Sequence, residues 1–185
     1  MSANGVALRD TPRMTELPRL VVVTGPPGAG KTTIAAELRT RLGLPLIAKD
    51  TLKELLGGAL GIDDRVRSQQ FGAIVFKLIG AFVKELLEQG VSVIAEGNFT
   101  ERSTLFSGLP PAEIVQVHVT AEPETLRTRL LERDIRHPVH YDREAADEVS
   151  ARAAGGEWPP LRIGGRLIEI DTTTWPNLDE VLATV

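Results

Sequence analysis

Residues 20–42 read Leu20-Val21-Val22-Val23-Thr24-Gly25-Pro26-Pro27-Gly28-Ala29-Gly30-Lys31-Thr32-Thr33-Ile34-Ala35-Ala36-Glu37-Leu38-Arg39-Thr40-Arg41-Leu42, and this stretch decides the fold. Leu20 to Val23 is a continuous apolar run ending just before a glycine, the pattern of a strand buried on both faces. Lys31 to Leu42 holds helix formers, with apolar residues at Ile34, Ala35, Leu38 and Leu42, and closes at Gly43. Between them, Gly25 to Thr32 fits G-x-x-x-x-G-K-[ST] at every position. Glycines let successive N–H groups turn inward around an anion. The lysine adds a charge for the β- and γ-phosphates, the hydroxyl of Thr32 suits Mg²⁺, and the helix start points its positive end at the same place. A strand before the motif and a helix after it are the context this chemistry needs, so a nucleoside triphosphate is expected here. Its expected contacts are Gly25, Pro27, Gly28, Ala29, Gly30, Lys31, Thr32 and Thr33.

Outward from this segment, short apolar runs alternate with helical patterns. Leu44 to Ala48 predicts a second strand, Val91 to Ala95 a third, Ile114 to Val119 a fourth and Leu167 to Ile170 a fifth. Arg65 to Gln89 predicts a long helix with Val66, Phe71, Ile74, Val75, Leu78, Phe82, Leu86 and Leu87 on one side. Thr125 to Asp134 predicts an arginine-rich helix behind Pro123, and Asn177 to Leu182 a closing one. The expected fold is α/β, a three-layer sandwich with a five-stranded parallel sheet and helices on both faces. Residues 1–18 read as a flexible leader without a signal-peptide pattern, and 19–185 as one domain. Residues 137–158 read as loop-rich, within a lid expected at about 134–160.

Composition narrows the function classes. The chain has 185 residues, no cysteine and a net charge of −4. Disulfides, thiolate metal sites and cysteine nucleophiles are excluded, and a cytoplasmic location fits. With a pI near 5.5, nothing draws the surface as a whole to nucleic acid or anionic membrane, so nucleic acid is disfavoured as a partner. The most apolar stretch, Ala73 to Val83, is interrupted by Lys77 and falls short of the ~20 residues of a membrane span. A guanine-specific N-K-x-D segment is missing, since Ala48 precedes Lys49-Asp50. AAA-type or transporter ATPase machines are set aside, because the chain is short and lacks an apolar run ending in Asp-Glu.

These features together resemble the small P-loop kinases of the nucleoside-monophosphate-kinase superfamily, over roughly residues 20–182. Within it the chain is most similar to the group of polynucleotide 5′-kinases, zeta-toxin kinases and chloramphenicol phosphotransferase. The shared features are the aspartate of Lys49-Asp50-Thr51-Leu52-Lys53, the polar end Glu96-Gly97-Asn98-Phe99, the arginines of Arg127 to Arg143, and Asp171-Thr172. Thr32-Thr33 departs from the usual Gly-Thr of adenylate kinases, and their monophosphate-binding arginine pattern is missing. The resemblance implies an arginine-rich lid and transfer of the γ-phosphoryl of ATP, with Mg²⁺, to a hydroxyl of a nucleoside, sugar or antibiotic-like alcohol. A polynucleotide-end or toxin-type kinase is the alternative, the latter held off by an unidentified protein partner. A nucleotide switch or hydrolase without an acceptor is a further one.

Lys31, Asp50 and Arg133 are the expected catalytic residues. Asp50 either accepts the proton of an acceptor hydroxyl or caps the helical run Thr51 to Leu56. Glu96 either holds a water on Mg²⁺ or is an exposed strand end, and Asn98 either meets the acceptor or serves a turn. Arg136 joins Asp50, Glu96 and Asn98 on the substrate side. Arg129 and Arg133 share a helix face; relatives place the first over the adenine and the second on the phosphates, whereas interleaved acids allow a merely solvated helix. Thr173, after the last strand, is expected near the base. His137 and His140 lack the partners of a zinc site, and His118 reads as a satisfied core or strand-face residue.

Overall fold

Five parallel strands lie in the order β2-β3-β1-β4-β5, with β1 at the centre. The computed structural model describes residues 16–62, 64–100, 104–133, 137, 139–183 and 185. The elements run β1 (Arg19–Thr24), α1 (Lys31–Leu42), β2 (Leu46–Ala48), α2 (Lys49–Leu60), α3 (Arg65–Glu88), β3 (Val93–Glu96), β4 (Glu113–Thr120), α4 (Pro123–Glu132), α5 (Asp142–Ala154), β5 (Arg166–Asp171) and α6 (Leu178–Leu182). The expected three-layer α/β sandwich is the observed one. Residues 1–15, most of the expected leader, lie outside the described residues.

The central strands carry no alternation because both faces are covered. Val21 and Val23 face one core with Ile34 and Leu38 of α1, Leu126 and Leu130 of α4, and Val149 of α5. Leu20 and Val22 face the other, with Val75, Ile79 and Val83 of α3 and the ring of Phe99. Phe99 meets Phe106 edge-on at 5.2 Å between centroids and Phe76 at 5.6 Å. Its carbonyl also accepts from the Thr24 hydroxyl at 3.2 Å, which ties the end of β1 to the chain leaving β3.

Register brings the chemistry to one rim. Val23 pairs with Glu96, and Glu96 with Ala48, so the ends of β1, β3 and β2 are level where the loop, Glu96 and Asp50 follow. Ligands of open parallel sheets bind beyond these carboxyl ends.

Two expectations need correction. The buried stripe of α3 is Ser68, Gly72, Val75, Ile79, Val83 and Leu87, whereas Val66, Ile74 and Phe82 are exposed. The predicted stripe was wider than the strip one sheet face can cover. The loop-rich reading of 137–158 also fails, because α5 occupies thirteen of those residues and buries Ala146 and Val149. Flanking prolines and glycines masked a short amphipathic helix with Asp142 and Glu144 in its first turn and Arg152 in its last.

Phe99→Ala is expected to cost about 3–5 kcal/mol in denaturant unfolding, the usual range for a fully buried ring. Phe99→Leu, which leaves a smaller void, should cost clearly less.

Candidate active site

The phosphate loop is shaped by the sheet beneath it. Gly25 has φ 140°, and a Cβ there would stand 1.9 Å from the Val119 carbonyl oxygen, so only glycine lets the loop leave β1 against β4. Gly30, at φ 84°, starts α1, and a Cβ on it would meet the Trp175 ring at 2.7 Å. A third fastening comes from Thr172, whose hydroxyl lies 2.9 Å from Ala29 O and 3.0 Å from Thr120 O. Arg129 donates to the Thr172 hydroxyl at 2.9 Å and to Gly28 O at 3.3 Å, clamping the loop to the end of β5.

Lys31 lies buried at the first position of α1 and donates to Pro26 O at 2.7 Å. Burial pushes its ammonium pKa down to about 8, while Glu96 and Asp50 oppose that shift. A phosphate beside it would supply the missing counter-charge. The cradle therefore fits the anion that the sequence predicts.

A cleft of about 410 Å³ runs from this loop across the rim. Lys31, Thr32, Asp50, Glu96, Asn98 and Arg133 all border it, so most of the residues read from sequence are brought together. Asp50 is not an N-cap: α2 starts at Lys49 after Ala48, and Asp50 lies inside the first turn, 3.4 Å from the Lys49 ammonium. Glu96 does end β3, but it is not an exposed strand end, since it is only 3% exposed. The Oδ1 atom of Asn98 is buried and has no hydrogen-bond partner among the described residues. Arg133 does not share a helix face with Arg129 as expected, because α4 ends at Glu132 and Arg133 is extended; it pairs with Asp142 at 3.0 Å, which links the end of α4 to α5. Arg136 lies outside the described residues.

Thr173 is engaged elsewhere. Its side chain and then its N–H, the latter donating at 2.7 Å, hold the Asp171 carboxyl below its usual pKa, and its hydroxyl accepts from the Glu122 N–H. The neighbouring Thr172 touches the loop instead. Trp175 joins Gly28, Gly30, Arg129 and Arg133 around a second hollow of about 200 Å³. Trp175 had no local signal, and Thr172 was legible only as the end of the last strand, since each touches the loop over a hundred residues away in sequence.

The histidines divide. His140 pairs with Glu54 of α2 at 2.8 Å, and His137 Nδ1 accepts from the Val139 N–H. His118 is a buried strand residue as expected, but its Nδ1 has no hydrogen-bond partner among the described residues, and burial lowers its pKa. Among the described residues no three His, Asp or Glu side chains gather into a metal cage. Thr32 and Glu96 nonetheless fit Mg²⁺, a hard ion that takes one or two protein oxygens and completes its shell with phosphate and water.

Fold and loop together define a P-loop nucleotide-binding protein built like the small kinases. Residues 20–155 match the family described as an AAA domain, and the chain belongs to that family. The family shares the AAA word with the machines set aside on chain length. A solved structure from Chloroflexus aurantiacus, provisionally named a kinase, is 32% identical, with a TM-score of 0.81 over 91% of this chain and 97% of that one. A gluconokinase from Sinorhizobium meliloti shares the fold at a TM-score of 0.53 and 21% identity, over 91% of this chain and 89% of that one. The cytidylate kinase of Pyrobaculum arsenaticum is 30% identical over 117 residues, which are 62% of this chain and 60% of that protein. The chain thus spans less than two thirds of the length of the curated relatives it matches.

The Lys31 ammonium has a consequence for stability. Its pKa is about 8 folded against 10.5 unfolded, so between those values the unfolded chain holds more protons and stability rises with pH. Lys31→Met is therefore expected to raise ligand-free stability at pH 7 by on the order of 2 kcal/mol. Thermal melts should show that gain shrinking by pH 9.5, where the parent has shed the proton.

Proposed function

We propose that the chain is a kinase transferring the γ-phosphoryl group of ATP to a hydroxyl of a small molecule. The observation that carries the reading is the single cleft joining the phosphate loop to Asp50 and Asn98. In the transfer, the acceptor oxygen attacks the γ-phosphorus, the bond to the β,γ-bridging oxygen breaks, and the hydroxyl proton passes to Asp50. The products are ADP and a phosphate ester. Lys31 and Arg133 oppose the charge on the phosphoryl group in flight, and Asn98 orients the acceptor. Thr32, with Glu96 through a water, would hold Mg²⁺, which when bound neutralises phosphate charge. The hollow beside Arg129 and Trp175 suits the base, and the missing N-K-x-D element favours adenine over guanine. The absence of a membrane-length apolar helix among the described residues agrees with a small-molecule substrate in aqueous surroundings, and the cytoplasm is the compartment proposed.

The cytidylate kinase relatives favour a second reading, in which the acceptor is a nucleoside monophosphate. Its attacking phosphate oxygen carries no proton at neutral pH, so Asp50 would then be dispensable as a base. ATP consumption across hydroxyl compounds and monophosphates, with the product identified by mass spectrometry, separates the two.

Asp50→Asn tests the mechanism. It should leave ATP affinity nearly unchanged while transfer to a hydroxyl falls by ~10²–10⁴-fold, the range for general-base loss. A silent substitution, with a monophosphate as acceptor, would select the second reading. Lys31→Ala should abolish transfer in a folded protein, and turnover near that of the parent would exclude a kinase.

The two lid arginines should differ in steady-state kinetics. Arg133→Ala should lower kcat more than it raises the KM for ATP, because its charge is needed with the phosphoryl in flight. Arg129→Ala should raise that KM more, since the loop loses its clamp at Gly28 and Thr172. Equal, small effects would mean that neither arginine serves the nucleotide.

A further inference from the structure

Among the described residues six cationic side chains border the cleft, namely Lys31, Lys49, Lys53, Arg65, Arg133 and Arg152, and five are engaged. Lys31 donates to Pro26 O, and Lys49 pairs with Asp50 while lying 5.8 Å from the centre of the Phe76 ring. Arg65 pairs with Glu148, Arg133 with Asp142, and Arg152 with Glu148 and Glu157. Lys53 differs. Among the described residues no carboxylate lies within ion-pair distance of its ammonium, although the side chain is half-buried.

The surroundings of Lys53 make this arrangement costly. Burial, and then the neighbouring charge of Lys49, push its pKa down to about 8, while Asp50 on its own helix and Asp142 of α5 oppose the shift. A half-buried cation beside a second cation weakens the fold unless something anionic joins it. Lys49 and Lys53 stand four residues apart, hence on one face of α2 and about one turn from each other.

The cleft also has a direction. Lys49 and Asp50 open α2 directly after β2, at the rim, and Lys53 stands about one turn further along the helix. Along the cleft wall that α2 forms, Lys49 and Asp50 thus come first and Lys53 follows, with Asp142 of α5 lining the same cleft. An acceptor whose hydroxyl meets Asp50 extends its far end toward Lys53.

We propose that Lys53, assisted by Lys49, binds an anionic group, carboxylate or phosphate, carried by the phosphoryl acceptor at the end away from the hydroxyl that reacts. This assignment rests on the kinase reading above and narrows its substrate class from alcohols in general to hydroxy acids and phosphorylated alcohols. A neutral polyol would add no counter-charge to Lys53.

The test uses the full chain saturated with Mg·ADP, so that the phosphate loop is filled. D-Glycerate, inorganic phosphate and, as neutral control, glycerol are titrated by calorimetry and by the NMR resonance of the Lys53 ε-carbon. At least one anion is expected to bind saturably and shift that resonance, while glycerol does neither. The preferred anion tells carboxylate from phosphate. Lys53→Met should weaken its binding about tenfold or more, the effect of losing one charge-assisted hydrogen bond, with ADP affinity unchanged. Lys53→Arg should restore it. If neither anion binds, or if Lys53→Met binds equally well, the assignment is wrong. Failure of the kinase reading looks different. If Mg·ADP does not bind, that reading falls, and the same titrations on Lys31→Ala still decide the anion site. If an anion binds at Lys53 but no hydroxyl compound is ever phosphorylated, the anion site stands without the kinase.

Discussion

Lys31 holds its ammonium against the Pro26 carbonyl at 2.7 Å, in a place with almost no water. Keeping a charge there is unfavourable, and the neighbouring architecture is arranged around offsetting it. The loop backbone curls over it, the buried Glu96 carboxylate acts on it from β3, and the positive end of α1 adds to the demand for an anion. Such an arrangement needs a loop that cannot relax. Gly25 pressed on Val119 fixes it from below, and the Thr172–Arg129 clamp fixes it from the side.

The two halves of the cleft are built from different forces. The loop half rests on main-chain contacts and on β1, four of whose residues have no exposure at all. The opposite half rests on α2, α3 and α5, joined across the opening by Arg65–Glu148, Glu54–His140 and Arg133–Asp142. The two arginine pairs are partly exposed, and ion pairs of that kind each contribute little and are screened by salt. Position is set firmly where the phosphates lie and loosely where the acceptor enters. That difference suits a site that must grip one substrate and admit another.

Sequence alone carried most of the first half. The run Leu20–Val23 and the glycine spacing after it have one physical meaning, and the observed β1, loop and α1 follow it. Asp50, Glu96 and Asn98 were legible as rim residues because parallel strands present their carboxyl ends together. Their bland alternatives failed for local reasons: the helix begins two residues earlier than a cap at Asp50 allows, and Glu96, the last residue of β3, is buried. The second half was less legible. α5 hid between glycines and prolines, and α3 turned a narrower stripe inward than its apolar content suggested. Thr172, Trp175 and Lys53 gain their meaning only from neighbours that the fold supplies, so no window of sequence shows what they touch.

Trp175 against Gly30 has an optical consequence. The chain contains two tryptophans. One lies on the phosphate loop, and the other, Trp158, walls the cleft with the Arg152 guanidinium 4.7 Å from its ring centre. Every indole in the protein thus borders the site. Its tryptophan emission comes wholly from the two sides of the cleft, so the molecule carries its own fluorescent gauge of what enters.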